Sequence, residues 1–253
     1  MVFIIDFFTN IKSWPHHMKR YFIFDKKEQK DYLITTLLFT LIIFFFIWRT
    51  TDFSSLNQGL KHLLLIFINV GFFMLLFIFS AKALAIFYFY TAKYSSWLNG
   101  LLVGFVVSFI SYGLIPMAFP GKIEIQVIDR LRHGRLFFGE NKREISFVLT
   151  KTLFIIVLAS LITKQLFISS NILFFKYSYI IGTTLALMAI LPLPDNLGSH
   201  LFYVNRTAFY TWFLFLILFY ITTIFFTKSY VIILLILSII LVSIFKKKIP
   251  IEK

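Results

Sequence analysis

No cysteine occurs among the 253 residues. That excludes disulfides, thiolate metal sites and cysteine nucleophiles. Acids are scarce as well: eleven Asp and Glu stand against twenty-five Lys and Arg, for a net charge of +14. All eleven fall outside the long apolar runs or at their edges: Asp6, Asp25, Glu28, Asp31, Asp52, Glu124, Asp129, Glu140, Glu144, Asp195 and Glu252. A proton relay, an ion-coupled pump or a carboxylate enzyme inside a bilayer places an acid at depth. The distribution argues against ion-coupled transport. The pattern HExxH is absent, and with it a helical i, i+4 histidine pair and its general-base glutamate. The start of the chain lacks a basic n-region and a small-residue cleavage site, so no cleavable signal peptide is expected.

What the chain has is apolar surface. Hydrophobic residues make up 59% and the mean hydropathy is +0.87. Soluble domains are nearer 45–50% apolar (about). The charged residues cluster between apolar runs, which predicts a multi-pass membrane protein built as one bundle. The thirty-five phenylalanines read as a lipid-facing surface rather than as an aromatic cofactor box. The positive charge flanks the apolar runs, so it points to the lipid bilayer and its anionic headgroups rather than to nucleic acid.

Residues 1–31 mix apolar and charged side chains and predict an interfacial amphipathic segment. Residues 32–248 form the membrane-embedded domain. Its spans are expected at about 33–48, 62–90, 146–163, 173–193, 208–226 and 229–245. A further run, 98–119, contains Gly100, Gly104, Gly113 and Pro116. Charge decides whether it crosses. If it does, and the N-terminus is cytoplasmic, the loop 120–145 and the basic tail both fall outside. If it enters and leaves on one side, eighteen basic residues lie inside and four outside. The positive-inside rule selects the second arrangement. The fold class is therefore an all-α polytopic membrane protein: six transmembrane helices plus a re-entrant or β-containing segment, with both termini cytoplasmic.

Few side chains offer chemistry. His16 and His17 are adjacent, point about 100° apart on a helix and make a poor chelate; they read as exposed interfacial residues. His62 and His133 read the same way. Asp195 and His200 form the acid–histidine pair closest to a membrane helix, yet catalytic zinc takes three protein ligands. Their plainer reading is helix capping by Asp195 or Asn196 and interfacial packing by His200. Lys151 lies one turn inside its run. Lys82 sits deeper, about two-thirds along 62–90. It faces a wet cavity or a polar partner, or it snorkels to the interface, which is the expectation adopted.

Three stretches, in order, carry a resemblance. The first is Ala92-Lys93-Tyr94-Ser95-Ser96-Trp97. The second is Phe119-Pro120-Gly121 followed by the β-like Lys122-Ile123-Glu124-Ile125. The third is Leu191-Pro192-Leu193-Pro194-Asp195-Asn196-Leu197-Gly198. Together they resemble the site-2 intramembrane zinc proteases, particularly the small archaeal members, over roughly residues 60–210. In that family the first stretch follows HExxH and the third reads LPxxPLDG, whose aspartate is a zinc ligand. The resemblance puts the ligand and base positions at Ala83, Leu84, Phe87 and Leu197, none of which can bind zinc or move a proton. The helix with a GPxxN-type motif has no counterpart at Leu149-Thr150-Lys151.

The resemblance implies a protease fold without a metal, in the plasma membrane of a prokaryote. Such a protein would bind transmembrane segments of other proteins, or act as a structural or regulatory subunit. No catalytic residue is assigned and no cofactor expected. Two other readings stay open. One is an active zinc protease whose ligands are Asp195, His200 and a distant histidine such as His133. The other is a transporter or lipid-binding bundle that uses Lys82 and the 98–119 segment.

Overall fold

The structure, a computed structural model, describes residues 14–50, 56–128 and 141–225. The expected span 229–245, His133 and the basic tail lie outside the described residues.

A short helix, α1, covers 14–21. Helix α2 (Lys26–Thr50) starts before the apolar run expected at 33. Half of a capping box marks the earlier start: the Glu28 carboxylate accepts the Asp25 N–H at 3.0 Å, and Gln29 N–H opens the helical ladder by donating to the Asp25 carbonyl. Helix α3 spans Leu56–Phe87. Its 32 residues make it ~48 Å long, more than a bilayer core of about 30 Å requires.

The expectation that this helix reaches residue 90 needs correction. The chain leaves α3 at Phe89, whose φ of 63° is left-handed. Strand β1 (Tyr90–Ser95) follows. Its alternation places Tyr90, Ala92 and Tyr94 inward and Lys93 outward. It pairs antiparallel with β2 (Lys122–Val127), from Tyr90 opposite Val127 to Ser95 opposite Lys122. The fold is therefore mostly helical with one small sheet.

That pairing controls the intervening segment. Ser95 and Lys122 sit side by side, so the chain between them leaves and returns at one place. It goes out as α4 (Leu98–Ile110), whose 13 residues reach only ~20 Å. It turns where Gly113 N–H donates to the Ser108 carbonyl at 2.7 Å. It comes back extended along α4. A Cβ at Gly104 would collide with the Met117 carbonyl oxygen, so glycine is what lets the returning backbone lie against the helix. Ser108 Oγ donates to the Ile115 carbonyl at 3.0 Å. Pro116, Ala118, Phe119 and Pro120 on the returning leg are buried in protein. Irregular backbone between apolar helices needs that burial, because its polar groups must be satisfied internally.

The second half packs against this frame. Helix α5 (Lys142–Ser170) is capped at its start by Asn141, whose side chain accepts the Arg143 N–H, and ends on left-handed Asn171. Helices α6 (Leu173–Ile190), α7 (Leu197–Val204) and α8 (Arg206–Phe225) complete the described chain. The α5–α6 pair is the most extensive, and α3 packs on both. Gly182 of α6 sits where Phe73 of α3 and Ser160 of α5 close in. The core gathers Phe39, Phe73, Phe77, Ile156, Ile181 and Leu185. Buried Asn69 of α3 is satisfied within it: its amide donates to the Leu65 carbonyl at 2.9 Å and its oxygen accepts from Ser178 of α6.

Four helices, α2, α3, α5 and α6, are long and apolar enough to cross a membrane. Helix α4 and the first sixteen residues of α8 are apolar but shorter. Of the six crossings expected, four thus have a helix of the required length among the described residues.

Candidate functional site

The sheet marks one end of the bundle, and the polar side chains gather there. Lys82 of α3 and Glu28 of α2 form an ion pair at 2.7 Å, with both side chains about 95% removed from solvent (relative exposure 5% and 4%). The Lys82 ammonium also donates to the Ile23 carbonyl and lies over the rings of Phe22 and Phe24. Glu28 is fully occupied. One oxygen takes Lys82 and the Asp25 N–H; the other accepts the Tyr94 N–H at 2.7 Å. This overturns the snorkelling expected of Lys82. Its charge is neutralised inside the protein, because the first turn of α2 brings a carboxylate to it.

Tyr94 extends the network. Its hydroxyl meets Thr35 Oγ1 at 2.8 Å and donates to the Pro120 carbonyl. Burial pushes its phenol up. One side chain thus ties α2, β1 and the returning leg of the hairpin. On the other flank, the Tyr90 hydroxyl donates to Glu144 at 2.9 Å and accepts the Asn141 N–H at 3.0 Å, fixing the start of α5.

Helix α1 lies across the end of α3. Trp14 Nε1 donates to the Ala83 carbonyl at 3.1 Å. His17 packs edge-on against Phe89 at 5.6 Å, so it is not the freely exposed residue expected; His16 beside it is exposed. His17 Nδ1 is buried without a hydrogen-bond partner among the described residues. Burial, then the charges of His16 and Arg20, hold the imidazole below the ordinary histidine range. The sign follows from linkage. The undocked segment binds a proton at higher pH than the docked one. The stability this gives is complete above about pH 6.5 and is lost as pH falls through the lower, docked value. Acidification from pH 7.5 to 5 should therefore weaken the docking of α1. The difference in tryptophan emission between the native chain and Trp14→Phe reads it, and an unchanged difference spectrum would contradict it.

Asp195 and His200 both reach β2, at neighbouring residues. Asp195 adopts a left-handed φ of 52° and pairs with Lys122 at 2.8 Å; Lys122 also holds Glu124 at 3.0 Å. Asp195, then Glu124, keeps the Lys122 ammonium above the usual lysine range. His200 Nδ1 lies 3.3 Å from the Ile123 carbonyl. Asn196 stands at the N-cap position of α7 without capping it. Its amide instead donates to the Met188 and Leu191 carbonyls, at 2.7 and 3.0 Å, and closes the end of α6. His62 is not at a free helix end either: Nδ1 meets the Tyr177 hydroxyl at 2.6 Å, at the other end of the bundle.

Of the positions where the resemblance would put ligands, Ala83, Leu84 and Phe87 sit half-buried on the last turns of α3, where Trp14 of α1 reaches the Ala83 carbonyl. Leu197 opens α7 and is completely buried in the core. Its helix packs chiefly on α8, α5, α6 and β2. None of these four side chains carries a donor atom for zinc, so a metal does not fit there. Among the described residues no three His, Asp or Glu gather closely enough to hold one elsewhere. Sequence reasoning did not find Glu28, Tyr94, Tyr90 or Trp14. The pattern Asp25-Lys26-Lys27-Glu28 is a legible capping box and could have pointed to the first of them.

The architecture defines a helical bundle of membrane-protein proportions with a buried polar lock at one end. No family model, no curated protein and no solved structure matches the chain.

Proposed function

We propose that this chain is an integral membrane protein that works by binding rather than by catalysis. In this reading it is a silent counterpart of the site-2 proteases that holds membrane segments of partner proteins, with the polar end of the bundle cytoplasmic. The observation that carries the reading is that the ionisable groups nearest the would-be site are already consumed. Lys82 is held by Glu28 and Asp195 by Lys122, and Ala83, Leu84, Phe87 and Leu197 are apolar.

The segment 98–119 is re-entrant in this reading, which agrees with the side-by-side pairing of Ser95 and Lys122. A surface for a partner helix is available on α3. Leu64, Ile68, Phe72, Leu75 and Phe79 recur at spacings of three and four and are 46–60% exposed. The test is reconstitution with single-span substrates and a photo-crosslinker at Phe72. The expected result is crosslinking to the substrate helix without cleavage, with or without zinc. Cleavage that a chelator abolishes would overturn the proposal.

A further inference from the structure

At the end of the bundle away from the sheet, α2 and the tip of the 98–119 hairpin border an open cavity of about 590 Å³. Phe45, Trp48, Arg49, Phe109, Ile110 and Tyr112 line it. Its two walls are held firmly. The Phe45 ring lies 5.9 Å from Phe105 and 5.6 Å from Phe109, and Trp48 meets Phe44 edge-on at 5.3 Å. Gly113, at a φ of 75°, seats the tip against the Phe45 carbonyl, where a Cβ would collide. Tyr112 has a left-handed φ of 49° and is 86% exposed. A bulky L-residue holds that conformation only when its surroundings impose it. Here it keeps an aromatic ring at the rim.

Five of the six lining side chains are aromatic or aliphatic, and the sixth is a cation. Arg49 is exposed and forms no ion pair with a described residue. A guanidinium offers phosphate a planar, two-pronged donor. Tryptophan and tyrosine favour the headgroup level of a bilayer, with their rings against the acyl region. We propose that this cavity holds an anionic phospholipid. The phosphate lies on Arg49, Trp48 and Tyr112 flank the headgroup, and an acyl chain runs along Phe45, Phe109 and Ile110. Inorganic phosphate would leave the aromatic walls without a partner, and a neutral amphiphile would leave the arginine without one. The inference rests on the membrane-embedded reading and not on the silent-protease one, so a protein that proved to be an active protease would leave it standing.

The test is native mass spectrometry of the detergent-purified full chain, titrated with phosphatidylglycerol and with phosphatidylcholine of the same acyl length. The wild type is expected to retain phosphatidylglycerol in preference. Arg49→Gln should weaken that retention about tenfold, since one charge-assisted contact is lost. Arg206→Gln, at the opposite end, should leave it unchanged. Ile110→Trp should narrow the cavity and lower retention of both lipids, and a thermal melt matching the wild type shows that the variant is folded. Equal retention of the two lipids, full retention by Arg49→Gln, or equal loss in Arg206→Gln would overturn the proposal. So would a second copy of the chain, rather than lipid, departing when Arg49 is replaced.

Discussion

Glu28→Leu is expected to destabilise the bundle by about 3–5 kcal/mol, the cost of leaving a buried charge without its partner. Lys82 would keep only the Ile23 carbonyl and the faces of Phe22 and Phe24. Tyr94 and Asp25 would each lose the acceptor of a backbone N–H. The reverse substitution, Lys82→Met, should cost less. It leaves Glu28 with both backbone donors, and methionine fills the space of the lysine stem. The double variant Glu28→Gln, Lys82→Met should recover most of the loss. It removes both charges, keeps an amide oxygen for a backbone N–H and keeps the packing. Thermal unfolding in detergent, followed by circular dichroism, ranks the variants. Equal losses for the two single variants, or no recovery in the double, would mean that the pair is not the organising contact it is taken to be.

Leu197→Asp should be almost as damaging, at more than about 3 kcal/mol. The leucine is completely buried, and its neighbours Gly198 and Leu201 are buried as well. Gly198 lies so close to the Ile190 carbonyl that the helix start has no room to shift. The site-2 proteases, by the resemblance, carry an aspartate at this position. If the position faced a hydrated cavity, the substitution would be tolerated. If it is core, the variant melts well below the wild type, and added zinc does not restore it. A variant that melts like the wild type, or one that zinc rescues, would count directly against the silent-site reading.

The large features were legible because they are written in periodicity and charge. Long apolar runs located α2, α3, α5 and α6, and glycines with Pro116 flagged the irregular segment 98–119. The asymmetry of Lys and Arg favoured a return of that segment to the side it left; in the structure the Ser95–Lys122 pairing brings its two ends together. Strand β1 was not legible, since Tyr90-Thr91-Ala92-Lys93 continues an apolar stretch with no glycine or proline to stop a helix. The stop is tertiary: Phe89 takes a left-handed turn, and β2 supplies the pairing.

Glu28 was missed for a different reason. An acid in a lysine-rich segment reads as solvated, and nothing local says that α3 will carry Lys82 to it from 54 residues away. His17 and His62 illustrate the same limit. Each looked like an interfacial histidine, and each acquires its environment, Phe89 in one case and Tyr177 in the other, from an element distant in sequence.

In the proposed reading, the positions that the resemblance equates with zinc ligands are closed, self-satisfied parts of the fold. Elemental mass spectrometry of the protein, purified in detergent without chelators, tests it most directly. The account predicts zinc far below one atom per chain, unchanged in His200→Ala and Asp195→Ala. About one zinc per chain, lost in either variant, would contradict it and make Asp195 and His200 ligands.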